Sequence, residues 1–419
     1  MKFARVATGL IGLLSLQAFM GLNVHAESPA KTQLPLEGAS LYFYTDLEGD
    51  MAQLGDISNR IYREFILQQD GMPPFPVDVA KLYQRLGLTN IQGLSAASYP
   101  REGGYFHNAS LMHLVESKPV GLWSIFDFED RPFEAAATFS AKSDVVVQFH
   151  LHPANLLRLV ETITTDLMGP FGQMMIHQYL DMQLSEDGVT VRDVVLSFDQ
   201  PISFAAYLPS ASLAYDPDQD SFVDTPAELA FAVRFPQAGT KLREVIPFAQ
   251  QYGARVYEVD AITWVDLEMD LDDNPSPLFG IDGETGDLIV ASAAEDWAWF
   301  REGPKLVQDT QFLEIREKLP ETAALFSYTS THFGQSRIAD WMGGHGALPP
   351  ALAEELDQML SPYLRQSMST TRLADGGIRS DNFQPYSYKH QFWLMGFLII
   401  QTAMEQISLS DGDATHYPY

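Results

Sequence analysis

Three times along the chain, an alternating aromatic pattern of the kind that makes a strand runs straight into an apolar stripe with helical spacing. Leu41-Tyr42-Phe43-Tyr44-Thr45 precedes Met51, Leu54, Ile57, Ile61, Phe65 and Ile66. Val145-Val146-Val147-Gln148-Phe149-His150-Leu151 precedes Leu156, Leu159, Val160, Ile163 and Leu167. Ala324-Leu325-Phe326-Ser327-Tyr328-Thr329 precedes Ile338 and Trp341, then, after Pro349-Pro350, Leu352, Leu356, Met359, Leu360 and Tyr363. Apolar residues at three- and four-residue steps build one buried stripe per helix, and period-two alternation gives each strand a buried face. Such elements must cover one another. The expected fold class is α+β, with antiparallel sheets packed against amphipathic helices and an internal duplication of the strand-helix module.

A glycine-led segment follows the first two helices at similar distances and reads as a turn and a strand: Gly87 to Ser95, and Gly188 to Val195. Asp375-Gly376-Gly377-Ile378 is a fainter third copy. Between the second and third units, short β-branched and aromatic runs predict strands at Ile202 to Leu208, Leu229 to Phe235, Arg255 to Val259, Ile262 to Met269 and Leu288 to Ala291. Asp282 to Asp287 reads as a hairpin turn. A helix is predicted from Thr240 to Tyr252, kinked by Pro247 and stopped by Gly253. The resulting division is a targeting segment over 1–26, a first α+β module over 27–135, a strand-rich second module over 136–320 and a helix-rich partial module over 321–419.

The address is written in the first 26 residues. Lys2 and Arg5 precede an apolar stretch from Val6 to Leu22, and Val24-His25-Ala26 places small residues where a signal peptidase reads. Cleavage is expected after Ala26, with export to a bacterial periplasm or beyond. The 419-residue chain has no cysteine, which removes disulfides and thiolate chemistry, so an exported form must rely on packing. Its 55 acidic and 26 basic residues give a formal charge of -29, which argues against nucleic acid as a partner. The longest later apolar run, Phe392 to Ile400, is too short to cross a bilayer as a helix.

Two stretches carry a likeness to known sequences. Asp287 to Ser292, followed by a helix, Phe312 and Leu319-Pro320 before a fresh strand, resembles a pattern in uncharacterised exported bacterial proteins. Pro132-Phe133-Glu134 leading into Val145 to Val147 and a Leu-rich helix is similar to the same group. The resemblance covers about half the chain, supports the modular reading and implies no activity.

Chemistry-bearing candidates are few. His150 and His152 form an H-x-H pair on the predicted second strand, a spacing that suits a metal if folding brings in a third ligand such as His107, His113 or Glu134. Asp216, Asp218, Asp220 and Asp224 resemble the opening of a calcium loop, although Ser221 replaces the usual Gly and Ala227 the closing Glu. Trp297, Trp299 and Phe300 crowd one short segment and are read as a contact patch for protein, glycan or hydrophobic ligand. G-x-S-x-G, H-E-x-x-H, P-loop and G-x-G-x-x-G motifs do not occur. The leading expectation is a non-enzymatic exported protein with a binding or envelope-associated structural role. Its alternatives are a periplasmic carrier of a hydrophobic or lipid ligand and a hydrolase with a carboxylate or histidine site. An open apolar cavity points to the carrier, a cleft joining His150 and His152 to a carboxylate to the hydrolase, and an exposed Trp297/Trp299 patch to the binding module.

Overall fold

The computed structural model describes residues 34–66, 77–207, 212–216, 221–225, 230–267, 277–331, 358, 361–363 and 365–390. In chain order the first strand and helices are β1 (Leu41–Asp46), α1 (Asp50–Ile61) and α2 (Val79–Arg85). Two long strands follow, β2 (Ile91–Pro100) and β3 (Phe106–Leu114), then α3 (Glu134–Thr138), β4 (Val145–Phe149), α4 (Pro153–Leu180), α5 (Val191–Leu196) and β5 (Ile202–Tyr207). A hairpin, β6 (Ser212–Asp216) and β7 (Ser221–Thr225), precedes β8 (Ala230–Phe235), α6 (Gly239–Leu242) and α7 (Ile246–Gln251). The chain continues through β9 (Arg255–Val259), β10 (Ile262–Asp266), β11 (Leu278–Asp282), β12 (Leu288–Ala291), α8 (Ala294–Arg301) and α9 (Thr310–Arg316). It returns through β13 (Leu325–Thr329), β14 (Ser367–Ala374) and β15 (Gly377–Gln384).

The fold is α+β, and thirteen strands make one sheet in the order β1-β2-β3-β15-β14-β13-β4-β5-β8-β12-β11-β10-β9, every neighbouring pair antiparallel. Each of the three aromatic strands pairs with the next strand of its own unit, and that strand pairs with a third. The units are β1-β2-β3, β4-β5-β8 and β13-β14-β15. This equivalence is one of connection. The glycine-led segments do not occupy equivalent places: Gly87 leads to β2, Gly376 to the last strand of its unit, and Gly188 to a helix. The strand expected over Val189 to Val195 is α5, because Thr190 and Asp193 form a capping box that satisfies the helix's first N–H groups. The matching offsets therefore lend no support to duplication.

One face of the sheet carries the main core. Val146, Gln148, Ala205, Ala232, Ile289, Trp264, Phe326, Tyr328 and Met368 lie there, all buried. Small residues on β5 and β8 leave depth for aromatics from the covering segments: Phe133 stacks on Phe326 at 4.6 Å, and Phe312 meets Tyr328 edge-on at 5.3 Å. Gln148 fixes that cover by accepting from Ala135 N–H and donating to the Pro132 carbonyl, both at 2.8 Å. Here Trp297 and Phe300 are buried, each edge-on to Phe139. Trp299 is half-buried against Tyr207, beside Lys142. The expected surface patch is thus corrected: the i, i+3 spacing of Trp297 and Phe300 turns both onto the core face of α8.

The helix predicted after Thr240 is found in place. The helix after Thr240 is interrupted by a 3-10 turn at Arg243–Val245 just before Pro247, and Gly253 takes φ 94° beyond its end. The long helix α4 breaks at Gly169 (φ 63°) before Pro170. Among the described residues no helix is long and apolar enough to cross a membrane. Residues 1–26, expected to be a targeting segment, and Asp218 and Asp220 lie outside the described residues. Asp216 and Asp224 lie on the paired strands β6 and β7, with Asp216 opposite Ser221 and Leu213 opposite Asp224.

Two glycines clamp the end of α2 to the 3-10 turn Gly121–Ile125. A Cβ at Gly121 (φ 61°) would stand 2.2 Å from the Leu86 carbonyl carbon, and one at Gly87 2.4 Å from the Val120 oxygen. Gly121→Ala is expected to cost roughly 3 kcal/mol, combining left-handed strain with overpacking. Gly253→Ala, with φ 94° but open space around it, should cost only about 1 kcal/mol. Urea unfolding of the two variants checks the ordering.

Candidate functional site

The other face of the sheet is built differently. Directly opposed residues form one row across six strands: Phe43, Ala96, Ser110, Ser380, Thr371 and Leu325. A parallel row holds Leu94, Met112 and Ile378. Phe149 continues the face on β4, since it stands two residues beyond Val147, the partner of Ser327. Alanine and hydroxyl residues occupy the middle of the row, so the floor is low. Trp123 on the 3-10 turn, Phe126 and Phe128 on the loop after it, and Tyr388 beyond β15 rise around it, enclosing a cavity of about 480 Å³.

The lining is mostly apolar, and its polar groups largely bond one another. Thr371 and Ser380 share a hydroxyl hydrogen bond of 2.7 Å. Asn382 donates to the Tyr388 oxygen at 3.1 Å, and Tyr388 also bonds Ser110. Burial pushes the Tyr388 phenol up, so it stays neutral. Trp123 is the exception: its indole N–H is buried with no acceptor among the described residues.

Asp127 and His150 stand in the cavity wall. The carboxylate accepts from His150 Nδ1 at 2.6 Å, from Arg131 at 2.7 Å and from the Glu129 N–H at 3.0 Å. Burial raises the Asp127 pKa, but the bonds from Glu129, Arg131 and His150 outweigh it and hold the group below the usual carboxylate range. Arg131 pairs its backbone with Ala323 in both directions, fastening this loop to the approach of β13.

The histidine pair is not on a strand, because β4 ends at Phe149. His150 sends its second nitrogen to the Asp199 carbonyl at 2.7 Å, so both ring nitrogens are held by oxygens of the protein. His152 opens α4, half-exposed, with Nε2 3.6 Å from Asp127. The metal reading of His150 and His152 is replaced by a hydrogen-bonded brace centred on Asp127. Among the described residues no group of three or more acidic or histidine side chains is arranged to hold a metal ion. Sequence reasoning missed Asp127 and Trp123; the only signal was an acid bracketed by two phenylalanines, Phe126-Asp127-Phe128.

Comparison with family models, with curated proteins and with solved structures returns no match for this chain.

A carboxylate with a depressed pKa contributes stability fully above its unfolded value, near ~3.9, and loses it as pH falls through the folded value. Asp127→Asn is therefore expected to cost about 2 kcal/mol at pH 7, where charge-assisted bonds are lost. The gap between variant and wild type should close as pH drops below about 4. Chemical unfolding across pH 2.5 to 7 measures it.

Proposed function

We propose that this chain is an exported binding protein that holds a small, largely apolar ligand in the cavity between the sheet, the Gly121–Ile125 turn and the loop of Phe126 and Phe128. The observation that carries this reading is a roomy apolar space whose hydroxyls are already bonded to one another. A ligand entering it gains contact area without having to replace many hydrogen bonds to water, and cavities of roughly 300–1,000 Å³ suit small molecules. Export rests on the Lys2 to Ala26 segment of the sequence.

The hydrolase reading meets two nearby observations. Ser95 Oγ lies 2.9 Å from His113 Nε2, both residues are buried, and burial lowers the His113 pKa. Yet Ser95 and His113 belong to the sheet face opposite the Ala96–Ser110 row, so only the Ser95 backbone borders the cavity. His150, which does border it, has both ring nitrogens committed to Asp127 and Asp199. Neither pair presents a free base to a bound molecule.

Fluorescent N-phenylnaphthylamine is expected to bind the purified full-length protein one to one. Ala96→Phe on the floor and Leu94→Trp at the more exposed rim should each weaken it tenfold or more. Unaltered affinity in folded Leu94→Trp would overturn the cavity as the binding site.

A further inference from the structure

On the face away from the cavity, β14 and β15 set two arginines directly opposite one another, Arg372 and Arg379. Like charges in that position repel, so each needs its own anion. Arg379 has one: its Nε and Nη2 grip Asp381 Oδ2 and Oδ1, both at 2.8 Å. His107 bonds the same carboxylate at 3.0 Å, and Asp381 is 3% exposed. Burial opposes ionisation there, but the bonds from His107 and Arg379 bring the Asp381 pKa down to about 2.

Arg372 has no comparable partner. Its only ion pair among the described residues is a 4.0 Å approach to Asp381, and its Nε is buried with no acceptor. Tyr42, in the same cross-strand row as Ala97, Ala109 and Asp381, also keeps a buried hydroxyl that finds no partner among the described residues. Two guanidiniums against one carboxylate leave one positive charge, in a chain with 55 acidic residues available to neutralise it.

We propose that Arg372, with the free edge of the Arg379 guanidinium, binds a small free oxyanion of the carboxylate or phosphate class. The guanidinium fork matches such an anion's oxygens, and the existing Arg379–Asp381 clamp holds the second arginine ready. A lipid headgroup shares this chemistry, but the charge of -29 opposes approach to an anionic bilayer, which favours the free anion.

Inorganic phosphate and succinate, titrated into the full-length protein at fixed ionic strength against chloride, should raise the unfolding temperature saturably. Arg372→Gln should abolish the response, and Arg372→Lys should weaken the apparent Kd at least fivefold. Arg365→Gln, which removes a half-buried arginine lying over Tyr105, should leave it intact. No saturable response in wild type, or the same response in folded Arg372→Lys, overturns the proposal. Co-sedimentation with phosphatidylcholine vesicles containing phosphatidic acid, lost in Arg372→Lys and unaccompanied by a phosphate response, would overturn the free-anion assignment. Naphthylamine binding in the cavity is read separately, so its failure leaves this test standing.

Discussion

The alternation of side chains across an antiparallel ladder governs this molecule. Because each strand from β1 to β9 is paired with its neighbours, with a register shift between Ile91 and Gly93 on β2, each residue choice on a strand is a choice of face. On one face the choices are Phe326, Tyr328, Met368 and Trp264, closed over by α3, α8 and α9. On the other, β2, β3, β15 and β14 offer Ala96, Ser110, Ser380 and Thr371, and none of these four is tall enough to fill the space above it. A one-residue slip in β14 or β15 would exchange the two sets. It would place the arginines in the cavity and the hydroxyls under the aromatic cover.

The cavity and the Asp127 brace depend on each other. The loop bearing Phe126 and Phe128 has no regular structure of its own, and it is held by ion pairs to Asp127 and by the Arg131–Ala323 bridge. Charge here serves position: an ionised carboxylate with three donors keeps two phenylalanines standing as walls. The glycine contact between Gly87 and Gly121 does the same for Trp123, since only hydrogens at both alpha carbons let the two backbones come so close.

Much of the secondary structure was legible before any coordinates. Period-two and period-3.6 patterns located β1, β4, β5, β8, β9, β12, β13 and the split helix after Thr240, because those signals are local. Val189 to Val195 misled because its β-branched residues suit a strand, whereas the Thr190–Asp193 cap commits them to a helix. The site was hidden for a different reason. Its floor draws single residues from strands far apart in sequence, and a lone Ser or Ala carries no periodic mark. His150 stood out by spacing to His152, yet its partner Asp127 is set by the fold. Trp297 and Phe300 looked like a patch only while the depth left by Ala205 and Ala232 was unknown.

The β3–β15 ladder has a consequence for how the protein is made. It pairs Phe106–Leu114 with Gly377–Gln384, segments separated by most of the chain. Closing so long a loop comes at a heavy entropic cost before any contact repays it, and such topologies fold slowly. A growing polypeptide therefore cannot finish its central sheet until nearly all of it has been synthesised, and β3 must wait with an unpaired edge. The interior space beneath Trp123 cannot close before that ladder forms, because Ser110 and Ser380 supply its floor from the two sides of it.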